Sequence, residues 1–294
     1  MTYRGRSLTV LTTAVLAAAG AVAATVNVFS PDATADPTHN GNIVTFGDSF
    51  TANPDQIHNF LVSAPGNIGE RARDYPSTEG CLQAPDNTPA KLGERTGRPV
   101  SDWSCSAQTS RTILHRIDQA VSHGAVHDDS TVIIAVGMND YGPFGAADNG
   151  NLGLIDPAAV QRDYVANLQT AATKIRAAAP QAEIIISGAL PTVDRTSTMF
   201  CPLNVIPDAP LGLPVPLLRD VENWNRGNQQ LAADRIGAGY VEIIDGARGH
   251  DTCAADAQRF VAGVIDTTTP DYHMAFHPSA AGSQFVADTI ADHL

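Results

Sequence analysis

Five short apolar runs rich in Val, Ile and Phe recur along the chain, at residues 42–46, 99–103, 131–136, 183–187 and 240–244. Their hydrophobicity is continuous rather than alternating, the pattern of strands buried on both faces of a parallel sheet. Between and after them lie segments of helical period, at about 109–123, 157–179, 219–236 and 279–293. Pro157 stands where the first turn of a helix tolerates proline, and Ser279 can cap the last helix. Strands alternating with helices predict a doubly wound α/β domain, which binds ligands at the carboxyl ends of its strands. Two long insertions, 51–98 and 192–218, interrupt the alternation and read as structureless walls or lids. The Pro/Leu-rich part of the second, 202–218, is either the wall of an acyl-chain groove or a cover over the sheet.

The first 35 residues have a different character. Arg4 and Arg6 precede an apolar run from Leu8 to Phe29, and Ala33-Thr34-Ala35 forms an A-x-A site before Asp36. This is the layout of a secretory signal peptide, cleaved after Ala35 or, alternatively, near Ala24. An uncleaved anchor is the rival reading, since the run is long enough to span a bilayer; the polar Asp-Pro that follows favours release. Residues 36–294 read as one domain. The formal charge is −13, and losing Arg4, Arg6 and Asp32 with the leader leaves about −14. A chain this acidic, without a basic cluster, repels phosphate backbones, so nucleic acid is excluded as a partner. Four cysteines, Cys81, Cys105, Cys201 and Cys253, lie in the exported part and read as two disulfides. Of three possible pairings, Cys81–Cys105 and Cys201–Cys253 are expected because sequential pairs close the shortest loops. There is no C-x-x-C, and no metal or other cofactor is expected.

The chemistry collects at strand ends. Gly47-Asp48-Ser49 follows the first run, Gly137-Met138-Asn139-Asp140 follows the third, and Ser104-Cys105-Ser106-Ala107 follows the second. Phe276-His277-Pro278 immediately precedes the last helix. Each tetrapeptide alone reads as a turn. A serine at a strand end, however, is exposed beside helix N–H groups that can hold an oxyanion, and an Asn side chain there adds a neutral donor.

In this order the motifs resemble those of the SGNH hydrolases, the GDSL esterase/lipase family, and most of all its secreted actinobacterial members. The resemblance covers essentially all of residues 36–294, and the absence of a G-x-S-x-G elbow argues against an α/β-hydrolase. It implies a flavodoxin-like three-layer α/β/α sandwich around a mainly parallel sheet of about five strands. It also implies a serine esterase or lipase. His277 would take the Ser49 proton, an acyl-enzyme would form, and water would release it. The oxyanion donors would be the Ser49 and Ala107 main-chain N–H groups and the Asn139 side chain.

Two positions depart from the family pattern. Ala107 stands where the family has Gly, which requires a backbone conformation open to an L-residue. Met274 stands where the family's last block has an aspartate. The orienting acceptor for His277 is therefore expected to be the carbonyl of Met274 or Ala275, with Asp271 as the fallback. The expected partner is a small-molecule or lipid ester, and the expected form is a monomer able to associate with the cell envelope. Polysaccharide deacetylation and acyl transfer to an envelope alcohol use the same residues and stand as rivals. A catalytically silent envelope-binding protein is a further rival, suggested by Ala107 and Met274. His115, His123, His127 and His250 read as surface or capping residues, and Trp103 and Trp224 as packing residues.

Overall fold

The computed structural model describes residues 41–61, 74–150 and 153–294. The expected leader, residues 1–35, lies outside the described residues. In chain order the strands are β1 (Ile43–Gly47), β2 (Ser77–Thr78), β3 (Cys81–Leu82), β4 (Val100–Asp102) and β5 (Thr131–Ala135). They continue with β6 (Glu183–Ser187), β7 (Met199–Asn204), β8 (Leu211–Pro214), β9 (Gly239–Val241) and β10 (Ile265–Asp266). The α-helices are α1 (Ser49–Ala52), α2 (Gln56–Leu61), α3 (Thr88–Thr96) and α4 (Ile113–Ser122). After them come α5 (Pro143–Asn149), α6 (Pro157–Ala178), α7 (Pro216–Ile236) and α8 (Ala280–Ala291).

The central sheet has the order β4-β1-β5-β6-β9 and every pairing in it is parallel. Side chains alternate across it, and both faces are covered, which is why its strands read as unbroken apolar runs. Val44, Phe46, Val132, Ile134, Ile184 and Ile186 pack with Ile117, Leu168, Ile175 and Ala233 of α4, α6 and α7. On the opposite face Ile43, Ile133, Ile185 and Val241 pack with Leu92 of α3 and Ile290 of α8. The expected three-layer α/β/α architecture is the one observed. The order reverses direction between β1 and β5, so the carboxyl ends of these two strands flank the topological switch point where such sheets bind ligands.

Element boundaries differ where side chains compete with the ladder. The last sheet strand stops at Val241 instead of running to 244, because the Glu242 carboxylate accepts the N–H groups of Ile244 and Asp245 and closes a turn. The helix expected from 109 begins at Ile113. The Thr109 and Thr112 hydroxyls accept each other's main-chain N–H, at 3.2 and 2.8 Å, and hold the preceding segment as a turn. The insertions are not structureless. The first contains α3, whose caps were visible in the sequence: Asn87 Oδ1 accepts the Ala90 N–H, Pro89 lies in the first turn and Gly97 ends the helix in the left-handed region. The second folds into β7 and β8, which join β10 as a separate three-stranded sheet. Two disulfides join Cys81 to Cys105 and Cys201 to Cys253.

Candidate active site

Ser49 is the first residue of α1, two positions beyond the end of β1. Asp48 caps the helix by accepting the Phe50 N–H at 2.9 Å. Gly47 makes the sharp exit possible, because a Cβ there would meet Thr51 Cβ at 2.3 Å. Ser49 Oγ lies 2.7 Å from His277 Nε2. The other ring nitrogen, Nδ1, lies 2.9 Å from the Ala275 carbonyl. A carbonyl can only accept, so Nδ1 carries the proton, and Nε2 is left as an acceptor for the Ser49 hydroxyl. Of the two carbonyls expected to orient the histidine, that of Ala275 and not that of Met274 lies within hydrogen-bond distance of the ring. The Asp271 side chain makes no hydrogen bond to the His277 ring, whose two nitrogens meet Ala275 and Ser49, and its main-chain carbonyl accepts the Ala280 N–H at 2.7 Å.

The residues expected to hold an oxyanion, Ala107 and Asn139, lie in the loops after β4 and β5. Asn139 donates from Nδ2 to the Gln108 carbonyl at 2.9 Å, which leaves its second amide hydrogen uncommitted to that bond. Asp140, buried beside it, accepts the Ser110 N–H at 2.9 Å and the Ser110 hydroxyl at 2.5 Å. The turn at 105–107 is anchored to β1 by the Cys105 N–H, which donates to the Gly47 carbonyl at 3.0 Å. These bonds hold the Ala107 turn between the Ser49 and Asn139 loops. Ala107 has φ of +64°, the left-handed region that Gly enters freely and an L-residue at a cost of about 1 kcal/mol. Its N–H finds no hydrogen-bond partner among the described residues.

The His277 segment is braced from behind by residues that sequence reading did not single out. Arg259 is fully buried and donates to Thr268, Thr269, Asp256 and the Ala254 carbonyl. Asp266 accepts from Gly263, Thr268 and Thr269, and the Ala262 N–H donates to the His277 carbonyl. Phe50 packs on the imidazole with ring centres 5.0 Å apart. The sequence shows Arg259 as an ordinary arginine, and nothing local marks it as buried or says which loop it braces.

Burial governs the electrostatics. It lowers the His277 pKa below the ordinary histidine value, partly offset by the Ala275 carbonyl. It pushes the Asp48 carboxyl up to about 7, against the Phe50 N–H and with a further rise from the nearby Asp140. Asp140 rises to about 6 for the same first reason, opposed by its two bonds to Ser110.

Residues 45–285 match the GDSL-like Lipase/Acylhydrolase family. The chain belongs to that family. It is accordingly an ester-hydrolysing enzyme. It is similar to "Lipase 2" of Streptomyces coelicolor, at 24% identity over 244 residues, 74% of this chain and 79% of that protein. Its fold is similar to that of a phospholipase A1 from Streptomyces albidoflavus, with TM-score 0.58 and 16% identity, over 87% of this chain and 100% of that one. An extracellular lipase from Streptomyces rimosus superposes with TM-score 0.57 and 16% identity, over 86% and 100%.

Other candidates are committed elsewhere. His273 Nε2 lies 2.6 Å from Asp86, and His250 stacks on Phe260. His123 lies at a helix end with Nδ1 2.9 Å from the Gln119 carbonyl. Trp103 is buried and donates to Ser101, and Trp224 packs against Tyr141. Among the described residues no group of three or more His, Cys, Asp or Glu could hold a metal ion. Beneath the site loops lies an apolar cavity lined by Phe46, Phe50, Ile133, Leu190, Val286 and Ile290. It reaches Asp48, Met138 and Pro278, the sequence neighbours of Ser49, Asn139 and His277.

Proposed function

We propose that the chain is a secreted serine esterase or lipase that hydrolyses acyl esters through a Ser49–His277 dyad, with residues 36–294 as its catalytic domain. The observation that carries the reading is the chain of two hydrogen bonds from Ser49 through His277 to the Ala275 carbonyl. As Ser49 Oγ attacks the ester carbonyl, its proton passes to Nε2 and then to the departing alkoxide, leaving an acyl-enzyme. Water then attacks, giving its proton to Nε2, and Ser49 recovers a proton as the acid leaves. The Ser49 and Ala107 N–H groups and the Asn139 amide hold the oxyanion in both steps. The Ala275 carbonyl stabilises the imidazolium through a dipole rather than a full charge.

Several features support an acyl substrate. The cavity below the site offers an apolar wall, and the two tryptophans that could have served a sugar are occupied in packing. The similar S. coelicolor protein is a lipase, and two of the similar structures are a phospholipase A1 and an extracellular lipase. Export is supported by the leader-like residues 1–35 and by the two disulfides. In a chromogenic short-chain ester assay, Ser49→Ala and His277→Ala should each lose at least about 1000-fold in kcat. Retention of wild-type turnover by either folded variant refutes the dyad. Failure of Ser49 to react with a fluorophosphonate would favour the catalytically silent alternative.

A further inference from the structure

The small β10-β7-β8 sheet carries an exposed apolar row. Register sets Ile265 beside Leu203 and Leu203 beside Leu211, so the three side chains stand on one face across three strands. All three are exposed, Ile265 to 57% and Leu211 to 48%. Along β8 the same face continues to Leu213, 54% exposed, which is paired with Phe200. From there the apolar surface runs into the active site. The Phe200 ring meets Phe276 edge-on at 5.3 Å, Phe276 meets Phe50 at 6.4 Å, and Phe50 lies against His277. On the other side of the same loop, α2 is joined to Ala275 through Gln56 and exposes Ile57 and Phe60, the latter to 77%. Soluble proteins rarely leave contiguous apolar surface of this kind uncovered without a binding role.

We propose that this face docks the enzyme on the surface of an uncharged or zwitterionic ester lipid, with the His277 loop at the contact. The proposal rests on the ester-hydrolysing site described above and adds how that site meets aggregated substrate. Two observations select this occupant over a protein partner or an anionic membrane. The apolar face is continuous with the nucleophile's surroundings, so whatever covers it is also brought to Ser49. And residues 199–217 contain no Lys or Arg and a single acid, Asp208, in a chain of formal charge −13, which offers nothing to anionic headgroups.

The test uses the exported, oxidised protein and the variant Leu203→Glu/Leu211→Glu/Ile265→Glu, with Leu203→Ser/Leu211→Ser/Ile265→Ser as a gentler companion. Binding is measured by flotation with phosphatidylcholine vesicles in a Ser49→Ala background, so that lipid is not consumed. Turnover of a water-soluble acetate ester is measured with Ser49 intact. The triple Glu variant should bind vesicles at least about tenfold more weakly while its turnover of the soluble ester stays within about twofold of wild type. In the wild type, vesicles should slow hydrogen exchange at residues 199–214 and 263–266, and phosphatidylglycerol vesicles should bind less. Equal flotation of wild type and both variants, or no exchange protection in these segments, overturns the proposal. So does a wild-type dimer that sedimentation shows the variant to have lost, which would assign the face to a second copy. Loss of soluble-ester turnover in the wild type itself would instead refute the esterase reading, leaving the flotation result to judge the docking face.

Discussion

At the residue scale the site is organised around a histidine with no carboxylate behind it. The Ala275 carbonyl fixes the tautomer but adds no net charge, and burial opposes the imidazolium, so the protonated form is disfavoured in the resting enzyme. With His277 as the proposed base, activity requires neutral Nε2 and should therefore fall only as pH drops through a value below 6.5. A kcat/KM–pH profile with its acid limb at or above 6.5 would contradict this. Asn139→Ala should cost on the order of 100- to 1000-fold in kcat with KM little changed, because in the proposed mechanism its donor acts on charge that develops in the transition state. Ala107 gives a test of backbone strain. At φ of +64°, Ala107→Gly should be neutral or stabilising by up to about 1 kcal/mol. Ala107→Val should destabilise by about 1–2 kcal/mol, since a β-branched residue is an outlier there. Thermal denaturation of the pair checks both signs.

At the element scale each disulfide ties a segment outside the central sheet to a distant part of the chain. Cys81–Cys105 closes a loop of sequence separation 24 and ends two residues before Ala107. Cys201–Cys253 closes one of 52 and pins β7, which belongs to the separate sheet. Chain-entropy arguments give about 3 and 4 kcal/mol respectively. Replacing both cysteines of the first pair by Ser should lower stability and also reduce turnover of a soluble ester, because the Ala107 turn, proposed to hold the oxyanion, loses one of its tethers. The same replacement at the second pair should lower stability with a smaller effect on that turnover. Denaturant titration beside kcat/KM on the soluble ester separates the two outcomes.

At the scale of the whole molecule the buried acids set a pH signature. Asp48 and Asp140 titrate near 7 and near 6 when folded, against 3.8 for the free carboxyl. The native state therefore holds more protons than the unfolded chain between these values. Stability contributed by the two protonated groups is complete below about 3.8 and is lost as pH rises toward 7. Asp48→Asn keeps an oxygen to cap Phe50 and removes the titration. It should be more stable than wild type at pH 7.5, by about 2–4 kcal/mol, with the difference shrinking toward pH 4. A difference in Tm that does not change with pH would show that the Asp48 carboxyl is not coupled to folding in this way.

How much of this was legible in the chain follows from the range of each interaction. The doubly wound architecture could be read because strands buried on both faces must be apolar throughout, and Ser49, Asn139 and His277 stood out because each lies where a regular element begins or ends. The α3 caps were equally visible, in Asn87, Pro89 and Gly97, and were hidden only by treating 51–98 as one insertion. The sequence by itself determined the sheet, the order of the family's blocks and the absence of an aspartate at the position of Met274. Only the tertiary structure decided which carbonyl lies against His277 Nδ1, which loops hold Ala107 beside Asn139, and that Leu203, Leu211 and Ile265 form one exposed row. These depend on contacts between residues far apart in the chain, and no local pattern of apolar and polar positions encodes the register that brings them together.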